Sequence, residues 1–123
     1  MADRTLRHCR ILVVEDEYML ADELQMELAD ADAIVLGPVS TVKEAIDLIA
    51  SEAEIDGSIL DVNLGGEFVF PVADRLAERG VPFLFTTGYD GSIIPARFAD
   101  IDRCEKPINM RRITKAIGRV IHP

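Results

Sequence analysis

The sequence predicts an α/β fold: a five-stranded, doubly wound parallel sheet with five helices. Three observations point there. Across 123 residues, short apolar runs alternate with amphipathic stretches, and the pair recurs five times. The apolar runs are continuous rather than every second residue, the pattern of strands covered on both faces. Strand–helix alternation builds parallel neighbours, because each parallel connection needs a crossover and crossovers are right-handed. The length fits one domain, residues 1–123 with a core of about 8–121, and no repeat or low-complexity tract divides it.

Taken in order, the strand runs are 11–14, 33–36, 59–60, 83–85 and, more weakly, 101–104. Between them lie the helical stripes. Leu20, Leu24 and Leu28 recur at i+4. Val42, Ala45, Ile46 and Ile49 follow i, i+3, i+4, i+7, with Thr41 and Glu44 spaced as a capping box. Val69, Val72, Ala73, Leu76 and Ala77 repeat the stripe, and Gly80 supplies a stop. The fourth helix has only 88–100 available, a segment that holds Gly91 and Pro95, so it is expected to be short or irregular. In the last helix Ile113, Ala116, Ile117, Val120 and Ile121 form one face, and Arg111, Arg112, Lys115 and Arg119 the other.

Composition excludes several classes. Apolar residues make up 49% and charged residues 28%, which is not the balance of a disordered chain. A formal charge of -9 opposes a phosphate backbone, so nucleic acid is not an expected partner. No run approaches the roughly 20 apolar residues of a membrane span, and the basic N-terminus leads into only four apolar residues, too few for a signal peptide. Cys9 and Cys104 form no framework, as expected for a cytoplasmic protein. Charge is uneven along the chain. Residues 11–42 hold eight acids and no Lys or Arg, whereas residues 103–119 hold six bases and one acid. The plain reading is two solvated helix faces; the sharper one is a dipolar surface that selects a protein partner.

In a parallel sheet of this kind every strand's carboxyl end lies on one edge, where ligands bind. Glu15, Asp16 and Glu17 follow the first strand, Asp61 and Asn63 the third, Thr86 and Thr87 the fourth, and Lys106 and Pro107 the fifth. The second strand ends blandly in Leu36, Gly37 and Pro38. Singly, each polar group has an ordinary explanation: an acid can cap the next helix, and Thr87–Gly88 and Lys106–Pro107 are common turn residues. Jointly they crowd carboxylates whose mutual repulsion must be offset. A divalent cation and one ammonium group would offset it. Oxygen donors at an open site suit Mg2+ (or Mn2+). With Lys106, the Thr87 hydroxyl and backbone amides of the 63–66 loop, the set meets the needs of phosphoryl transfer, with Asp61 as the nucleophile forming an acyl phosphate.

These residues resemble the receiver domain of bacterial two-component response regulators, of the stand-alone CheY-like kind. The resemblance spans 10–120 and rests on VVEDE (13–17), LDVNLGG (60–66), FTTGYD (85–90) and EKP (105–107). It implies the strand order 2-1-3-4-5, with Asp61 as phosphoacceptor and Thr87 and Lys106 as switch hydroxyl and phosphate-binding lysine. It also implies a metal site made by Glu15, Asp16, Asp61 and the backbone carbonyl of Asn63. Phe85, Thr86, Thr87, Gly88 and Tyr89 resemble the motif of an F-A-T-G subgroup, with Thr86 in place of Ala. Two departures bear on output. Arg103 stands where the family carries an aromatic switch residue, and the interval from Thr87 to Lys106 is a short 19 residues.

The resemblance implies a cytoplasmic phosphorylation switch, relay or phosphate sink rather than an enzyme acting on other substrates. Its donor would be a histidine kinase or histidine phosphotransfer protein. The chain stops just after the last helix, so no output domain is expected, and the output would be binding of a downstream protein by a monomer or a weak phosphorylation-dependent dimer. Tyr89 and Asn63 flank the expected path of water and would set the lifetime of the acyl phosphate. Two other classes stand beside this reading. A Mg2+-dependent phosphohydrolase with an aspartyl nucleophile would need room for a substrate cap. A receiver-fold interaction module that works without phosphate would draw its support from Arg103.

Overall fold

The computed structural model describes residues 5–88 and 93–123. Five parallel strands form the sheet in the order β2-β1-β3-β6-β7: β2 Ile34–Val39, β1 Arg10–Val14, β3 Gly57–Asp61, β6 Phe83–Thr87 and β7 Arg103–Glu105. In chain order of the parallel strands this is the expected 2-1-3-4-5. Helices α1 (Tyr18–Asp30), α2 (Val42–Ser51) and α3 (Phe70–Glu78) make the first three crossovers, and α4 (Met110–Ile121) follows the last strand.

Of the five expected helices, the fourth, between β6 and β7, is not an α-helix among the described residues. Between β6 and β7 the described residues form the 3-10 turn Ala96–Phe98, the short, irregular element anticipated there. Pro95 stands in an extended conformation at its start and lacks the amide that an α-helix would need at that point. A two-stranded antiparallel ribbon, β4 Asn63–Leu64 with β5 Glu67–Phe68, was not expected. It turns through Gly65 and Gly66, whose φ values of 66° and 101° suit glycine.

The sheet divides two apolar layers. On one side Ile11, Val13, Ile59 and Leu84 pack against Leu24 and Leu28 of α1 and Ile113 and Ile117 of α4. On the other, Leu12, Val14, Leu60, Phe83 and Phe85 pack against Val42, Ala45 and Ile49 of α2 and Val72, Ala73 and Leu76 of α3. Each fully buried Leu or Ile contributes roughly 1.5–3 kcal/mol, so the apolar stripes read from the sequence are what hold the helices to the sheet. Caps close the helices as the sequence suggests. Thr41 Oγ1 accepts the Glu44 amide at 3.1 Å, and Gly80, at φ 69°, lets the Val81 amide return to the Leu76 carbonyl after α3.

The second strand does not end at Gly37. It continues to Val39 through a register shift against β1. Gly37 adopts φ 88°, and a Cβ there would lie 2.8 Å from the Val39 amide nitrogen. This tight bulge brings the Val39 carbonyl to the Glu15 amide at 2.9 Å, fixing the start of the acidic run.

Candidate functional site

The carboxyl ends of β1, β3, β6 and β7 deliver the polar groups to one rim. Alternation along β1 puts Glu15 on the same side as Ile11 and Val13, and along β3 puts Asp61 on the side of Ile59. Glu15 and Asp61 are each only 3% exposed, whereas Asp16 is exposed. One carboxylate oxygen from each of Glu15, Asp16 and Asp61 falls within 4.8 Å of the other two, close enough to share one divalent ion. Hard oxygen donors and an open approach fit Mg2+.

Neither Asp16 nor Asp61 serves a helix cap. Helix α1 has Glu17 at its N-cap with no side-chain cap, and Asp61 leads into the β4–β5 ribbon rather than a helix. The ordinary explanation for an acid after a strand therefore does not apply here.

Lys106 reaches across the rim from the end of β7. Its Nζ lies 3.1 Å from Asp61 Oδ2, 3.1 Å from Glu17 Oε1 and 3.6 Å from Glu15 Oε1. Its backbone amide donates to the Thr87 carbonyl at 2.7 Å, which ties the loop after β7 to the end of β6. Burial works to lower the Lys106 pKa, but its hydrogen bonds to Asp61 and Glu17 and the surrounding negative charge outweigh that and raise it. Burial pushes Asp61 upward against the pull of Lys106. Glu15 is pushed to about 8, first by burial and then by the facing Asp61 carboxyl. Glu15 Oε2 accepts the Glu17 amide at 3.0 Å, whereas its Oε1 is buried with no hydrogen bond and has only the more distant Lys106 ammonium beside it, which leaves that oxygen open to a cation.

Asn63 bends the loop beyond Asp61. Its side-chain oxygen accepts the Gly66 amide at 2.6 Å, and its own amide approaches Asp61 Oδ1 at 3.4 Å. An open cleft of about 520 Å3 is lined by Asp16, Glu17, Asp61, Asn63, Gly88 and Lys106, together with Gly65 and Gly66. A Cβ at Gly65 would come within 3.4 Å of Asp16 Oδ2, so glycine keeps this wall low.

Of the residues singled out from the sequence, Glu15, Asp16, Asp61, Asn63 and Lys106 come together. Thr87 is 1% exposed at the end of β6; among the described residues no hydrogen bond joins its hydroxyl to Asp61 or Lys106. Arg103 is exposed on β7, paired in register with Phe85, and lines a separate groove with Arg112, Lys115 and Arg119. Tyr89 lies outside the described residues. Glu17 was the residue given no role, although it shares Lys106 with Asp61. Its only signal was its place as the third acid after β1.

No model of a known protein family matches the chain. The sensory transduction protein LytT of Bacillus subtilis is 31% identical over 114 residues, which is 89% of this chain; the chain spans 47% of that relative's length. The solution structure of SdrG from Sphingomonas melonis Fr1 is 39% identical, with a TM-score of 0.80 over 93% of this chain and 97% of that one. A response regulator receiver protein from Sinorhizobium medicae WSM419, 24% identical, shares the fold at a TM-score of 0.78 over 94% of this chain and 96% of that one.

Proposed function

The chain belongs to the receiver family of two-component response regulators, and on that premise we propose that it is a phosphorylation switch whose acceptor is Asp61. Receiver domains are regulatory phosphoacceptors that interact with kinases or phosphotransfer proteins. Here the donor is read as a phosphohistidine on such a protein. An Asp61 carboxylate oxygen attacks phosphorus in line as the P–N bond breaks, and the imidazole leaves with the bonding electrons and takes up a proton. The products are an aspartyl phosphate and a neutral histidine.

The observation that carries this reading is the placement of Lys106 at 3.1 Å from Asp61 beside two further carboxylates on one rim. Glu15, Asp16, Asp61 and the Asn63 backbone carbonyl would hold Mg2+, which would neutralise the carboxylates and the incoming phosphoryl oxygens. Lys106 holds the acceptor in place and moves with the added charge, Thr87 follows it, and the Asn63 amide lies beside the acceptor carboxylate. Asn63 and Tyr89 tune hydrolysis of the acyl phosphate. Phosphohydrolase chemistry gains no support from the cleft, which is open and, among the described residues, carries no cap. Among the described residues no helix is long and apolar enough to cross a membrane.

Downstream, the groove of about 690 Å3 beside β7, with Arg103, Arg112, Lys115 and Arg119 around it, is the surface read as meeting a protein target.

The test is intact-mass measurement after incubation with Mg2+ and acetyl phosphate. The wild-type chain should gain one phosphoryl group and the Asp61→Asn variant none. An equal gain by the variant would overturn the assignment.

A further inference from the structure

If Asp61 is phosphorylated, its state must reach the surface without an aromatic ring at position 103. The structure offers another route. Five phenylalanines form one connected cluster beneath the rim, and Phe98 of the 3-10 turn meets three of the other four. The Phe98 ring meets Phe85 edge-on at 5.7 Å and 73°, meets Phe83 at 5.9 Å and 77°, and stacks near-parallel on Phe70 at 6.1 Å and 25°. Phe70 in turn stacks on Phe68 at 6.0 Å and 26° and meets Phe85 at 84°.

These contacts join the two chain segments that leave the site. Phe85 lies two residues before Thr87, so the two share a face of β6. Phe68 closes the ribbon that begins at Asn63, and Phe70 opens α3 directly after it. Phe98 therefore touches both the strand that carries the hydroxyl and the segment that follows the acceptor. It is 4% exposed although it sits in a three-residue element.

The turn is held from outside by one ion pair. Arg97 Nε and Nη2 each lie 3.0 Å from an Asp74 carboxylate oxygen on α3, and the Arg97 guanidinium covers the Phe98 ring at 4.7 Å. Both partners are about half exposed, so water competes for them and the pair can open at little cost.

We propose that the turn Ala96–Phe98 is the element that reads out phosphorylation, with Phe98 as its lever and the Arg97–Asp74 pair as its latch. Displacement of Thr87 towards a phosphoryl group carries Phe85 with it, because the two lie on one strand in a close-packed layer. The Phe98 edge contact must then repack, and the latch opens. The proposal rests on Asp61 being the acceptor.

The test uses the full chain, 15N-labelled, with Mg2+ before and after addition of beryllium fluoride as the phosphoryl mimic; parallel samples with acetyl phosphate are weighed intact. On activation the Arg97 Nε–H signal and the amides of 96–101 should shift. The Phe98→Leu variant should still gain phosphate by mass while those signals stay in place. Asp74→Asn, which cuts the latch and leaves the Phe98 ring contacts, should take up phosphate about two- to fivefold faster than wild type. If Phe98→Leu melts before the measurement, the wild-type shifts and the Asp74→Asn rate decide. Mass gain without movement of the 96–101 signals in wild type overturns the lever and leaves the acceptor standing, as does a full shift in Phe98→Leu. Absence of any mass gain in wild type overturns the acceptor, and the lever with it.

Discussion

Lys106 and Asp61, 45 residues apart in sequence, meet at 3.1 Å between Nζ and Oδ2, and the same ammonium lies 3.1 Å from Glu17. One cation thus serves a buried acid and an exposed one. When the buried acid accepts a phosphoryl group, Glu17 marks the side from which the ammonium can be recruited.

Lys106→Ala should slow phosphate uptake from acetyl phosphate by on the order of 10- to 1,000-fold, because it removes a positioned charge from the developing phosphoryl oxygens. The initial rate of mass gain measures this. Lys106→Arg should not restore the wild-type rate, since a planar guanidinium cannot occupy the point between three carboxylates.

Stability of the metal-free protein should depend on the Glu15 carboxyl. Its folded pKa, about 8, lies above the ordinary 4.5, so the neutral form is favoured by folding. That contribution is complete below about 4.5 and is lost as pH rises through about 8. Denaturant titrations should show wild type losing on the order of a few kcal/mol across this window, and Glu15→Gln losing much less. At pH 9 the variant should be the more stable protein.

Mg2+ should raise the melting temperature by about 5 °C at tenfold excess over its dissociation constant. Asp16→Asn should abolish most of that rise while leaving the metal-free melt within about 1 °C, because Asp16 is exposed and caps nothing. Thermal melts with and without the ion check both halves.

Gly57→Ala should destabilise the fold by about 1–2 kcal/mol, since the new Cβ would sit 2.7 Å from Ile121 Cγ1 and 2.8 Å from its Cδ1. Adding Ile121→Val should recover part of the loss, and chemical denaturation of the two variants measures the coupling.

The strands and helices were legible because buried runs and apolar stripes differ in period, and the rim was legible because parallel strands all end on one side. What escaped has physical causes. The third strand reads as 59–60 in sequence but runs from Gly57 to Asp61. Gly57 is apolar only in the sense of making room for Ile121, and the fully buried Ser58 satisfies its hydroxyl on the Leu12 carbonyl at 2.9 Å. The β4–β5 ribbon did carry a signal, a Gly65–Gly66 pair between Leu64 and Glu67, but strands of two residues show no periodicity. The continuation of β2 through Gly37–Pro38 runs against turn chemistry, and only the hydrogen bond from Glu15 to Val39 explains why that bulge is kept. Glu17 could not be told from its acidic neighbours without knowing where the Lys106 side chain reaches.

Successive residues of a strand look to opposite sides, so the carboxylates at the ends of β1 and β3 lie over the α1–α4 half of the molecule, whereas Phe85 belongs to the α2–α3 half. Substitutions under α1 and α4 would then alter how fast the mark is written and erased. Substitutions under α2 and α3 would alter how the mark travels from strand to turn, and two homologues could keep one kinetic clock while relaying it differently.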